Sequence, residues 1–281
     1  TKGVFQLESP GMTDFMKNLK PTCFEDVVAG ISLYRPGPMD SIPKYIENKK
    51  HPENVKYIDP HLEPILGVTY GCLEYQEQVM QIVRELAGYS WGRSDLVRRA
   101  MSKKKAYVME QERQNFIYGN EAENVKGCIK NGISEEVAGR IYDEMIDFAK
   151  YAFNKSHAAC YAVVAYQTAF LKAYYPCEFM AALMTSVIDN TTKVSEYILN
   201  CRQMGIEILP PDVNQAEIGF SVSTEGAIRY GLSAVKGVGR SAAQAIVKER
   251  QQHGLYKDFE DFVVRVSEKG INRRAIEYFI Q

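Results

Sequence analysis

Ile208-Leu209-Pro210-Pro211-Asp212 is where the pattern of this chain changes. Before it, apolar residues recur at three- and four-residue spacing. After it, the spacing shortens and glycines crowd in. Proline fixes φ and pushes the residue before it toward extended backbone, so a proline pair ends any helix. The stretch divides the chain into a helical domain over residues 1–205 and a smaller unit over 206–281.

The smaller unit opens with a β-hairpin signal. Ile218-Gly219-Phe220-Ser221-Val222 and Ala227-Ile228-Arg229-Tyr230-Gly231-Leu232 flank the turn residues Ser223-Thr224-Glu225-Gly226. Next comes Ser233-Ala234-Val235-Lys236-Gly237-Val238-Gly239-Arg240-Ser241-Ala242-Ala243-Gln244-Ala245-Ile246. Its closely spaced glycines, with Leu232, Val235, Val238 and Ile246 to pack, resemble a helix-hairpin-helix motif. There the glycines let backbone N–H groups at a helix start approach a nucleic-acid phosphate. Lys236, Gly237, Gly239 and Arg240 are the candidate DNA-binding residues; a plain glycine turn between helices is the alternative.

Working back from residue 205, the chain reads as successive helices. The spacing predicts helices over 12–19, 24–33, 74–86, 107–118, 178–188 and 194–204, and another beginning at Ser134-Glu135-Glu136, where acids favour a helix start. Ser94 is the expected cap of a further helix whose buried face is Leu96, Val97, Ala100 and Met101. Ala158 to Tyr175 is apolar on most sides, which predicts a central buried helix. Val4-Phe5-Gln6-Leu7 alternates like a short strand. Residues 40–71 are expected to be irregular. No internal repeat appears. The fold class is mostly α, with a small α+β unit at the end.

Composition narrows the function. The chain has 281 residues, 46% of them hydrophobic, and 34 Lys+Arg against 35 Asp+Glu. These values suit a soluble globular protein, and no uninterrupted membrane span or signal peptide is visible. Six scattered cysteines without Cys-x-x-Cys spacing point to free thiols in a reducing cytoplasm rather than to zinc. The first residues, Thr1-Lys2-Gly3, suggest a piece of a longer protein.

Against that balanced charge, Leu96-Val97-Arg98-Arg99-Ala100-Met101-Ser102-Lys103-Lys104-Lys105 holds five cations and no acid. It is either a solvated helix end or a phosphate-facing surface. A second basic stretch, Asn154-Lys155-Ser156-His157, sits at the start of the long apolar segment, where unpaired N–H groups attract anions. Arginines contact phosphate in pairs of hydrogen bonds and lysines as point charges, so the two stretches together suit a triphosphate. Tyr34-Arg35-Pro36-Gly37-Pro38-Met39 is a stiff loop, read locally as a structural turn that could also hold Arg35 in place. No Asp-x-Asp or His-Glu-x-x-His is present, and Asp143/Asp147 and Glu74/Glu77 are expected to be solvated. The residues offer no metal site and no catalytic carboxylate pair.

Val4-Phe5-Gln6-Leu7-Glu8-Ser9, Tyr34-Arg35-Pro36-Gly37-Pro38, Tyr75-Gln76-Glu77-Gln78-Val79-Met80, Arg98-Arg99-Ala100-Met101, Phe153-Asn154-Lys155-Ser156-His157 and Leu209-Pro210-Pro211-Asp212-Val213-Asn214 together resemble the alpha subunits of bacterial DNA polymerase III, the C-family replicative polymerases. The resemblance runs along the whole chain. It implies a fingers domain followed by a helix-hairpin-helix segment. It implies that Arg98, Arg99, Lys155 and His157, with Arg35, hold the triphosphate of an incoming dNTP. Lys103, Lys104 and Lys105 are expected to be solvated or to join the hairpin in touching DNA. The catalytic aspartates and their Mg2+ would lie in a palm outside this chain, so the chain alone would be inactive. Implied partners are primer-template DNA, dNTP, the palm and thumb of the same subunit, the sliding clamp and other replisome subunits, with no membrane. The competing readings are a non-catalytic helix-hairpin-helix nucleic-acid-binding module and an interaction scaffold with merely solvated charge.

Overall fold

Prolines and small polar residues set the helix starts in the computed structural model, which describes residues 1–103, 106–149, 151–271 and 273–279. In α1 (Pro10–Leu19) the Ser9 hydroxyl accepts from the Met12 N–H, and Pro10 sits in the first turn, where no N–H is needed. After α2 (Phe24–Leu33), α3 (Ile42–Lys50) fills part of the stretch expected to be irregular. Its Pro43 again lies in the first turn and Tyr45 is fully buried, so a proline read as a breaker is a starter.

A short α4 (Glu63–Leu66) leads to α5 (Gln76–Ala87), which ends on Gly88 at φ 76°. α6 (Trp91–Ser102) begins earlier than expected. Ser90 is its cap, while Ser94 is buried within the helix and donates back to the Trp91 carbonyl at 2.7 Å. Val97, Ala100 and Met101 are buried as expected, but Leu96 is 63% exposed. α7 (Ala106–Tyr118) and α8 (Glu135–Ala149) complete the set. Ile82, Val83 and Leu86 meet Phe116, Tyr142 and Met145 in one core. Each such side chain contributes roughly 1.5–3 kcal/mol through burial.

α9 (Lys155–Tyr174) departs from the expectation of a buried central helix. Only Ala158, Ala162 and Ala165 are fully buried, a narrow stripe of small residues. Val163, Val164, Tyr166, Phe170, Leu171 and Tyr174 are exposed. Hydropathy averaged around a helix does not distinguish a covered face from an open one. No described helix is long and apolar enough to cross a membrane.

The chain separates into two units, Ser9–Val164 and Thr1–Glu8 with Ala165–Gln281. Residue 206, where the pattern changes, lies within the second unit. In that unit Met180 and Met184 of α10 (Pro176–Ser186) and Val194, Tyr197 and Cys201 of α11 (Thr191–Gln203) share a core with Ile206, Phe220 and Ile228. Those last residues flank or belong to a small sheet of β1 (Ile208–Leu209), β2 (Ser221–Val222) and β3 (Ile228–Arg229), in the order β1-β3-β2. β2 and β3 form the expected hairpin, Ser221 opposite Arg229. β1 pairs parallel with β3 and lies just ahead of the proline pair. Val4 to Leu7 forms turns instead of a strand, with Gln6 at φ 63°.

A second core in that unit joins α12 (Arg240–His253), α13 (Phe259–Ser267) and α14 (Arg273–Glu277) through Ile246, Val247, Phe262, Val266 and Ile276. All six cysteines are free thiols.

Candidate nucleotide- and DNA-binding residues

In the unit Ser9–Val164 the bridge between Tyr75 and Phe153 gathers the basic residues. The Gln76 N–H donates to the Phe153 carbonyl at 2.8 Å, and its side chain donates to the Ala152 carbonyl at 3.3 Å. The oxygen of the same amide accepts from Arg98 Nη1 at 2.8 Å. Gln76 thus ties α6 to the segment that starts α9.

Arg98 and Arg99 share one acid. Asp95 Oδ1 accepts from Arg98 Nε and Nη2 at 2.9 and 2.7 Å, and Oδ2 pairs with Arg99 Nε at 2.7 Å. The Arg98 hydrogen bond comes first among the causes that hold the Asp95 carboxyl below the usual carboxylate range. Arg99 is the more open of the two, its side chain 62% exposed against 25%.

At the start of α9 the Asn154 side chain accepts from the His157 N–H at 2.8 Å and caps the helix. The Lys155 N–H is already taken by Glu77 Oε2 at 2.9 Å. Its ammonium pairs with Glu25 at 3.2 Å and lies 5.4 Å from the centre of the Tyr75 ring. The exposed His157 ring packs between Phe153 and Tyr161.

Arg35 is held rather than loose. Nε donates to the Ser32 carbonyl at 2.8 Å, Nη2 to that of Tyr151 at 2.6 Å, and the guanidinium stacks 4.0 Å over the Phe153 ring. Gly37 makes this possible. At φ 102° its backbone suits glycine, and a Cβ there would lie 2.3 Å from the Tyr151 ring.

Of the expected triphosphate partners, Arg98, Lys155, His157 and Arg35 connect through the 75–76 and 151–154 segments, and Arg99 joins through Asp95. Lys103 is exposed at the end of α6, whereas Lys104 and Lys105 lie outside the described residues.

Tyr75-Gln76-Glu77-Gln78 did more than the spacing revealed. Gln76 orients Arg98 and Glu77 caps α9. The buried Gln78 accepts from the Glu74 and Tyr75 N–H groups and donates to Thr69. Neutral amides carry no charge pattern, so the stretch is marked in the sequence only by the family resemblance it helps to carry, without a role for either glutamine. Glu74 corrects the expectation of a solvated acid. It precedes α5 in the bridging segment and is 4% exposed, and burial pushes its carboxyl up to about 8.

In the other unit, Lys236, Gly237, Gly239 and Arg240 are exposed around the start of α12. Gly239 is the cap and supplies no side chain to the first N–H groups. A cleft of about 250 Å³ is lined by Gly237, Gly239, Ser241, Lys269 and Gly270. Gly270, at φ 77°, turns the chain between α13 and α14, so a second glycine turn faces the first. Its Lys269-Gly270 pair lacks a second glycine and so carries no hairpin signal in the sequence.

Sequence comparisons match two separate stretches of the chain. Residues 1–124 match the bacterial DNA polymerase III alpha subunit finger domain, and residues 205–281 match the helix-hairpin-helix motif. The DNA polymerase III subunit alpha of Thermus aquaticus is 49% identical over 286 residues, a match covering 100% of this chain and 23% of that protein. That of Pasteurella multocida is 48% identical, covering 100% and 24%, and that of Escherichia coli K12 is 46% identical with the same coverage. The chain spans about a quarter of the length of these relatives. By the finger-domain match, the hairpin match and similarity along its whole length, the chain belongs to the bacterial DNA polymerase III alpha-subunit family, of which it carries the fingers region.

Proposed function

We propose that the chain grips the triphosphate of an incoming dNTP and touches the DNA backbone, as the fingers of a template-directed DNA polymerase acting in the cytoplasm. Arg98, Arg99, Lys155, His157 and Arg35 take the triphosphate. Lys236, Gly237, Gly239 and Arg240, with Lys103, Lys104 and Lys105, take the DNA. The carrying observation is the Tyr75–Phe153 bridge, which links Arg98, Arg35 and the α9 start through Gln76 and Phe153. Cations so arranged offset the charge of a polyphosphate and hold it for in-line attack. Asp95, Glu25 and Glu77 occupy these groups in the free chain, and the triphosphate exchanges with them.

Among the described residues no group of three or more His, Cys, Asp or Glu could hold a metal ion. These residues therefore do not fit the Mg2+ of such an enzyme. In this reading the metal belongs to the palm of the full subunit, and the chain alone is inactive. The palm and thumb, the sliding clamp and other replisome subunits are the remaining partners.

Steady-state kinetics of the complete subunit test the assignment. Arg98→Ala is expected to raise the KM for dNTP by roughly tenfold or more, the loss of a charge-assisted pair, and to leave primer-template affinity nearly unchanged. A second reading, a nucleic-acid module without a nucleotide site, is favoured by the uncapped, basic start of α12. It would stand if Arg98→Ala weakened DNA binding and left the KM alone.

A further inference from the structure

Within the unit Ser9–Val164 a cavity of about 380 Å³ opens among the turn after α2, the start of α3, residues 71–74 and the end of α8. Leu66, Leu73 and Phe148 are among its lining residues, together with Lys44, Glu74 and Asp147. Its volume falls in the range of small-molecule sites.

Glu74 is the unusual wall. It is 4% exposed, and its Oε1 is buried with no hydrogen-bond partner. A buried carboxyl without donors is costly and calls for a compensating group. Arg35 favours its ionised form, but the guanidinium directs hydrogen bonds to the carbonyls of Ser32 and Tyr151. Asp40, Glu144 and Asp147 add negative charge to the lining, while the one lysine there, Lys44, is exposed. The nearby Cys72 thiol and Tyr45 and Tyr75 phenols are pushed up by burial and stay neutral. No described cluster of three or more ligating side chains supports a metal. The cavity therefore offers an acid in need of donors, a negative lining and apolar side chains among that lining.

We propose that this cavity binds a small organic cation, an amidinium or protonated amine carried on an apolar ring. Its N–H donors meet the Glu74 carboxylate, and its ring lies against Leu66, Leu73 and Phe148. Because burial raises the Glu74 carboxyl to about 8, most of it holds a proton at pH 7. A cation that pairs with the ionised form expels that proton, and a neutral ligand does not.

Calorimetric titration of the 281-residue chain with benzamidine at pH 7, in buffers of different ionisation heat, reads both quantities. Benzamidine is expected to bind with release of roughly one proton. Uncharged benzamide, and benzamidine with Glu74→Gln, should each bind roughly tenfold weaker or less tightly still. Ser41→Trp, which fills the cavity from its exposed edge and leaves Glu74 in place, should abolish binding. Equal affinity for benzamide, equal affinity in either variant, binding without proton release, or no binding at millimolar benzamidine would each overturn the proposal. If Glu74→Gln failed to fold by circular dichroism, retained binding in Ser41→Trp would still do so.

Discussion

Two carboxyls near the arginines sit in opposite electrostatic settings. Asp95 is held low by hydrogen bonds from Arg98, while Glu74 is raised to about 8 by burial. The Glu74 value lies above its ordinary 4.5, so between those limits the folded chain binds a proton that the unfolded chain has lost. Stability falls as pH rises across that window and levels off above it. Glu74→Gln removes the titration. Its stability relative to the parent should rise between pH 5 and pH 8.5 by on the order of a few kcal/mol, measured by urea unfolding at both values. The same difference at both pH values would place the carboxyl in a less desolvated setting. Lys236 is a simpler case, exposed beside Gly237. If it faces phosphate, Lys236→Ala should weaken DNA binding and lower the salt slope by about one unit; an unchanged slope would return the charge to solvent. Arg98 and Lys155 stood out in the sequence because charge is conspicuous against a balanced background. Gln76 was silent, because an amide becomes informative only once its two partners are placed.

At the scale of elements, local rules carried far. Gly88 ends α5, Ser134-Glu135-Glu136 marks the start of α8, and the turn at 223–226 joins β2 to β3. The misses share a cause, in that one residue type serves two purposes. Pro43 opens a helix where prolines suggested a loop, and Val4 to Leu7 alternates without a strand to pair with. The hairpin at 235–239 depends on one conformation: Gly237 has φ +83°, and a Cβ there would lie 2.1 Å from the Tyr278 ring. Gly237→Ala should cost roughly 1–2 kcal/mol from the backbone alone, plus the displacement of Tyr278. In a double-mutant cycle with Tyr278→Ala the steric part should cancel and the backbone part remain. Full additivity in thermal unfolding would mean that the ring does not set the turn.

For the molecule as a whole, helical content and the change of pattern near 208 were legible. α10 and α11 read as a continuation of the preceding helices, yet they share a core with the small sheet. Shared burial between distant segments leaves no mark in either segment alone. The open face of α9 has the same origin and bears on how the chain behaves in solution. A net charge of −1 at pH 7 supplies little long-range repulsion between molecules. Val163, Phe170, Leu171 and Tyr174 meanwhile offer apolar contact area. The chain is therefore colloidally weak. Its mean mass in sedimentation should climb over about a tenfold concentration range near neutral pH, and Phe170→Glu with Tyr174→Glu should suppress the climb without lowering helix content. Conformational stability and solubility are thus separate properties of this chain: one resides in the covered helices α5 to α8, the other in the uncovered side of α9.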